Sequence, residues 1–156
     1  MTALVPELAD LPPRLTLDGE LVAFGEDKLP SFPRLCERML HGRPGIPVAY
    51  MIFDVLERDG LATLNWPYRQ RRELLEELNL RGSHWDTAMA FEDGERLFRS
   101  VRDLGLEGIV AKKLGQRYRP GERQWVKVKN HDYWRYPLEL EAARNRRRKS
   151  SIFATR

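Results

Sequence analysis

The sequence predicts an α+β fold, mainly antiparallel sheets with packed helices. Two observations carry this. Stretches with strand character recur along the chain, and stretches with helical spacing fall between them without any internal repeat. The composition agrees: 156 residues, 42% hydrophobic and 32% charged, suit a compact domain with a real core rather than a disordered chain.

The elements follow in order. "LTLDGELVAF", 15–24, alternates apolar and polar residues as a half-buried strand does. "SFPRLCERMLHG" reads as a helix, with Ser31 as N-cap, Pro33 in the first turn, Gly42 at its end and Leu35, Met39 and Leu40 as its inner stripe. "VAYMIFDVL", 48–56, is nearly continuously apolar and reads as a buried strand with one acid, Asp54, near its end. Asn65 and Pro67 open the strongest helix, "PYRQRRELLEELNL". "RGSHWDTAMAFED" is a loop with a short strand near 88–91. A third helix over about 92–104 presents Leu97, Phe98, Val101 and Leu104, and Gly105 stops it. "EGIVAKK" and "RQWVKVKN" are two further strands, separated by the turn-rich "LGQRYRPGE".

Several function classes drop out. No apolar run is long enough to span a membrane, and the N-terminus lacks the basic start and apolar core of a signal peptide, so a cytoplasmic protein with no membrane partner is expected. Cys36 is the only cysteine; it forms no internal disulfide and fits a helix residue packed near the core. His41, His84 and His131 form no metal motif. The net charge is +4, with much of the excess in "RNRRRK", 144–149, which suits either weak attraction to nucleic acid or a solvated tail.

Successive strand side chains point to opposite faces, so Asp18 and Glu20 share one face across Gly19. Lys127 and Lys129 likewise share a face with Trp125, while Val126 and Val128 turn toward a core. Any one of these pairs is explained by a wet sheet face. Together they suit a metal–nucleotide complex: hard cations take carboxylate oxygens, lysines take phosphate, and an aromatic ring takes a base. Strict alternation sets Glu107 and Lys112 on opposite faces, so they share a cleft only if Glu107 lies just before the strand or a bulge intervenes. For Lys112 and Lys113 an exposed strand end is the plainer account.

In order, "LDGELVAF", "AYMIFDVL", "EGIVAKK" and "WVKVKN" resemble nucleotidyltransferase motifs III, IIIa, IV and V of the ATP-dependent DNA ligases, especially the bacterial kind associated with end joining. "WPYRQRRELLEEL" and "RYRPGERQWVKVKN" are similar to the same family. The resemblance runs from about Pro6 to Tyr136. It implies an ATP-grasp-like adenylation domain that uses ATP with Mg²⁺ or Mn²⁺ and acts on nicked or broken DNA. Asp18 and Glu20 match the motif III acids near the ribose and metal, Phe53 the aromatic that stacks on adenine, and Glu107 the metal-binding acid. Lys127 and Lys129 match the phosphate-holding lysines. The candidate nucleotide-binding set is therefore Asp18, Glu20, Phe53, Lys112, Lys127 and Lys129, and the candidate metal ligands are Asp18 and Glu107.

One departure bears on mechanism. The family attacks the ATP α-phosphate with a lysine inside K-x-D-G, upstream of motif III, and no K-x-D-G occurs here; the first lysine is Lys28. The expectation is a partial adenylation domain over 1–136, carrying motifs III to V, and a basic, poorly ordered tail over 137–156. A partner segment would then supply motif I. An RNA ligase, a capping-type enzyme and a non-catalytic binding remnant stand as alternatives.

Overall fold

The structure is a computed structural model that describes residues 6–122, 124–138 and 141. The 144–149 basic run and most of the 137–156 tail lie outside the described residues. The chain divides into two compact units, one of Met1–Ala90 with Lys112–Gln124 and one of Phe91–Ala111 with Trp125–Arg156.

The first unit is built on a four-stranded sheet. Strand β1 (Leu15–Ala23) pairs antiparallel with β2 (Val48–Arg58), which pairs antiparallel with β3 (Leu61–Ala62) and parallel with β4 (Trp85–Thr87). The expected strand near 88–91 therefore lies three residues earlier. Tyr50 N donates to His84 O at 2.7 Å and Ala88 N to Ile52 O at 2.7 Å, which ties 84–88 to β2 and leaves Met89 and Phe91 exposed. Mainly antiparallel pairing holds, with this one parallel exception.

Helix α1 (Phe32–Leu40) packs Leu35 and Met39 against Ala23, Ile46 and Val48. Leu40 is 75% exposed instead of joining that stripe. Five residues beyond Leu35 is about 140° around a helix, too far to share its inner face. Ser31 occupies the N-cap position, but its side chain makes no capping hydrogen bond. Helix α2 (Tyr68–Glu77) starts after Pro67 and buries Leu74 and Leu75 against Ile52 and Val55 of β2, with Leu80 closing the cluster. Burying such a side chain stabilises by roughly 1.5–3 kcal/mol, so this apolar cluster is the main support of the sheet's inner face.

Strand β2 is longer than its partner's register requires. The pairing steps from Thr16–Glu57 to Leu17–Val55 and from Asp18–Asp54 to Gly19–Ile52, so Leu56 and Phe53 are each an extra residue on β2. A bulge shifts the alternation by one. Ile52 and Val55, of opposite parity, consequently both reach the core. Gly19 sits where β2 crosses closely: a Cβ there would lie 2.7 Å from Met51 O and from the Tyr50 ring.

The second unit has helix α3 (Gly94–Asp103) and an antiparallel ribbon, β5 (Gly108–Ala111) with β6 (Val126–Lys129). Asp93 caps α3 by accepting from Arg96 N at 2.9 Å, and Gly105, at φ 62°, ends it. Val101 is buried, while Leu104 caps the helix and is exposed. Val126 and Val128 do not enter a core: they are 57% and 36% exposed. A ribbon of two strands has too little cover to bury a face on its own. Trp125 stands just before β6.

Candidate functional site

The bulge at Phe53 builds the site of the first unit. A bulged residue is left out of the ladder, so its carbonyl needs another donor. Lys112 Nζ supplies it, donating to Phe53 O at 3.3 Å. The same ammonium lies 4.3 Å from the centroid of the Phe53 ring and 4.7 Å from that of Tyr68. Both rings attract it through their faces. Burial pushes the Lys112 amine down to about 8, although Asp54 and Asp18 oppose this by favouring the cation.

Asp18 stands directly opposite Asp54 across the β1–β2 ladder. Facing carboxylates repel, and each has its own relief. Asp54 is fully buried and is held by Arg71 in a two-pronged pair, Nε to Oδ1 at 2.8 Å and Nη2 to Oδ2 at 3.0 Å. Arg71 is itself buried, and its Nη1 donates to Trp66 O at 2.6 Å and to Gln116 O at 3.2 Å. Asp18 is half-buried and accepts from the Tyr118 hydroxyl at 2.7 Å. Burial, then the hydrogen bond to the Asp18 carboxylate, pushes the Tyr118 phenol up to about 12, so it remains a donor at neutral pH.

The segment carrying Lys112 and Tyr118 is fixed by backbone bonds. Gln116 O and Leu114 O accept from the first two N–H groups of α2, Tyr68 N at 2.8 Å and Arg69 N at 2.9 Å, and Tyr118 N donates to Leu64 O at 2.9 Å. Orphan donors at a helix start are thereby satisfied by this segment rather than by a side-chain cap. Burial also raises the phenol of Tyr68.

The other predicted residues are placed differently. Glu20 is exposed, opposite Met51, and makes no hydrogen bond or ion pair among the described residues. In the second unit Glu107 lies just before β5, so strand alternation does not govern its direction. It pairs with Lys129 at 3.6 Å, and its carbonyl accepts from Asn130 N at 2.8 Å. Gly108, at φ 154°, permits this entry: a Cβ there would collide with Val128 O. Lys127 is exposed. Among the described residues no group of three or more His, Cys, Asp or Glu side chains could hold a metal ion unaided. The available donors are hard carboxylate oxygens, a set that fits Mg²⁺ bound jointly with substrate phosphates.

The structure thus gathers Asp18, Phe53 and Lys112, which the sequence had singled out, with Asp54, Arg71, Tyr68 and Tyr118, which it had not. Asp54 offered a signal, as a lone acid in an apolar strand. An arginine on the inner face of α2 offered its counterpart.

Residues 2–129 match the family described as the ATP dependent DNA ligase domain, and the chain belongs to that family. Among its relatives is the multifunctional non-homologous end joining DNA repair protein LigD of Mycobacterium tuberculosis, 37% identical over 132 residues that cover 83% of this chain and 17% of that protein. The SPbeta prophage-derived DNA ligase-like protein LigB of Bacillus subtilis is 31% identical over 138 residues, 85% of this chain and 51% of that one. The crystal structure of the ligase domain of M. tuberculosis LigD superposes with a TM-score of 0.69 at 36% identity, covering 82% of this chain and 44% of that domain. A mycobacterial DNA ligase D complexed with ATP and MES gives 0.64 at 37% identity, covering 82% and 41%. The chain therefore spans about half the length, or less, of the proteins it matches.

Proposed function

We propose that this chain serves ATP-dependent sealing of 5′-phosphate/3′-hydroxyl breaks in DNA, in repair or recombination in the cytoplasm, by way of enzyme–AMP and DNA–AMP. One observation carries the reading: a strand bulge sets an aromatic ring, Phe53, beside a half-buried lysine and next in sequence to Asp54, which the Asp18 carboxylate faces across the ladder. A ring offers a stacking surface for adenine, an ammonium offers charge for phosphate, and a carboxylate offers an acceptor for ribose hydroxyls. In this reading, within the first unit, Phe53 takes the base, Asp18 and Glu20 the ribose side and Lys112 the phosphates, with Asp18 a carboxylate that would hold Mg²⁺ or Mn²⁺, which when bound neutralises phosphate charge. Lys127 and Lys129 of the second unit keep the phosphate role, and Glu107 the metal role, that the family resemblance gives them.

The buried Arg71–Asp54 pair sets the Arg71 guanidinium 5.6 Å from the centroid of the Tyr68 ring and 5.7 Å from that of Tyr118, and the Tyr118 hydroxyl donates to one oxygen of Asp18. Lysyl–AMP formation needs an attacking lysine, and the 156 residues contain no K-x-D-G. A further segment or partner carrying that lysine completes the reaction. The sealing of a pre-adenylated nick needs no attacking lysine, and it is the test. The chain with Mg²⁺ is expected to release AMP from a pre-adenylated nicked DNA duplex in preference to the matching RNA. A folded sample that releases none, or that prefers RNA, overturns the reading.

A further inference from the structure

The segment from Lys112 to Tyr118 has two faces. Lys112, Gln116 and Tyr118 are half-buried, and Lys112 and Tyr118 reach Phe53 and Asp18, while Lys113 and Arg117 are exposed. The hydrogen bonds from Tyr68 N and Arg69 N lock this segment against the start of α2, which brings the exposed Arg69 alongside it; Gln116 N, donating to Lys113 O at 3.0 Å, tightens the turn. Three cations are thus gathered on one backbone-fixed patch of the first unit.

Their lack of partners sets them apart. Among the described residues of this unit most exposed cations are paired: Arg14 and Arg58 with Asp59, Arg43 with Glu37, Arg81 with Asp86 and Arg119 with Glu122. Arg69, Lys113 and Arg117 make no ion pair, although the exposed Glu73 lies one helical turn from Arg69. Among the described residues of this unit the one other exposed cation without an ion pair is Lys28. Like charges held together repel, and repulsion on a fixed frame is relieved by a polyanion, not by a single carboxylate. The positive end of α2 adds to the same field.

We propose that Arg69, Lys113 and Arg117 form a docking surface for the phosphate backbone of duplex DNA. The choice of DNA rests on the function proposed above. The inner face of the segment then serves the nucleotide and the outer face the DNA, so that one rigid element serves both ligands.

The test is the salt dependence of binding to a fluorescein-labelled nicked duplex, read by anisotropy on the full chain. Each phosphate neutralised contributes about 0.9 to the slope of log K against log salt, so the triple variant Arg69→Gln/Lys113→Gln/Arg117→Gln should lose about 2 to 3 from that slope. A control with the same change of net charge, Arg14→Gln/Lys28→Gln/Arg43→Gln, should lose less than about 1. ATP affinity, read by calorimetry, should be unchanged in the triple variant. If the triple variant does not fold, Lys113→Gln/Arg117→Gln leaves α2 intact and should lose about 2. Equal loss in the docking and control variants overturns the surface while leaving the ligase reading standing. A wild-type chain that does not bind the duplex overturns both.

Discussion

Arg71→Met removes one partner of the buried Arg71–Asp54 pair beside the Tyr68 and Tyr118 rings. The Arg71 side chain is 1% exposed and that of Asp54 0% exposed, so no water can replace the lost guanidinium. The variant leaves Asp54 with only the Val55 N–H at 3.0 Å, and strips a donor from Trp66 O and Gln116 O. Breaking a buried pair from one side typically costs about 3–5 kcal/mol. Total stability is typically about 5–15 kcal/mol, so the loss is a large part of it. Urea denaturation followed by circular dichroism reads the change as a fall in midpoint. The matched double variant Asp54→Leu/Arg71→Met should recover much of the loss, because neither charge is then stranded. Arg119→Ala, which breaks only an exposed pair, should shift stability by less than about 1 kcal/mol. An Arg71→Met protein within about 1 kcal/mol of wild type would refute the claim that this pair supports the site.

Three further outcomes are expected. Gly19→Ala should destabilise by about 1–3 kcal/mol, because the added methyl meets Met51 O and the Tyr50 ring; an unchanged melting temperature would show that β2 yields easily. Lys112 has a folded pKa of about 8 against an ordinary 10.5, so above about pH 8 the unfolded chain holds a proton that the folded chain has released, and stability should rise with pH. Read between about pH 8 and 9, below the tyrosine range, that rise should be absent in Lys112→Met; partial exposure keeps it well below one full proton's slope. With ATP and Mg²⁺ the chain alone should form no acid-stable protein–AMP adduct, since K-x-D-G is absent; an adduct mapped by mass spectrometry to any of its lysines would contradict this.

Much of the architecture was legible because it is local. Alternation marked β1, a nearly continuous apolar run marked β2, and helical spacing with Gly105 marked α3 and its end. What was not legible depends on partners distant in sequence. The strand at Trp85–Thr87 is set by parallel pairing with β2, which no local pattern announces. Val126 and Val128 alternate as core residues do, yet the ribbon offers them no cover. At the site, motif residues Asp18 and Phe53 could be picked out, but the bulge that aims Phe53 comes from register and not from composition. Tyr118 reaches Asp18 across 100 positions, and Arg71 reaches Asp54 across 17, from a different element.

Calorimetric titration of ATP into the chain with Mg²⁺, beside Phe53→Ala, tests the central claim most directly. Base–aromatic stacking is worth about 1–3 kcal/mol, so the expected result is saturable binding by wild type and affinity weakened about 5- to 150-fold in Phe53→Ala, with the variant still folded. A folded wild-type chain that gives no saturable heat, or a Phe53→Ala protein that binds ATP as tightly as wild type, would contradict it.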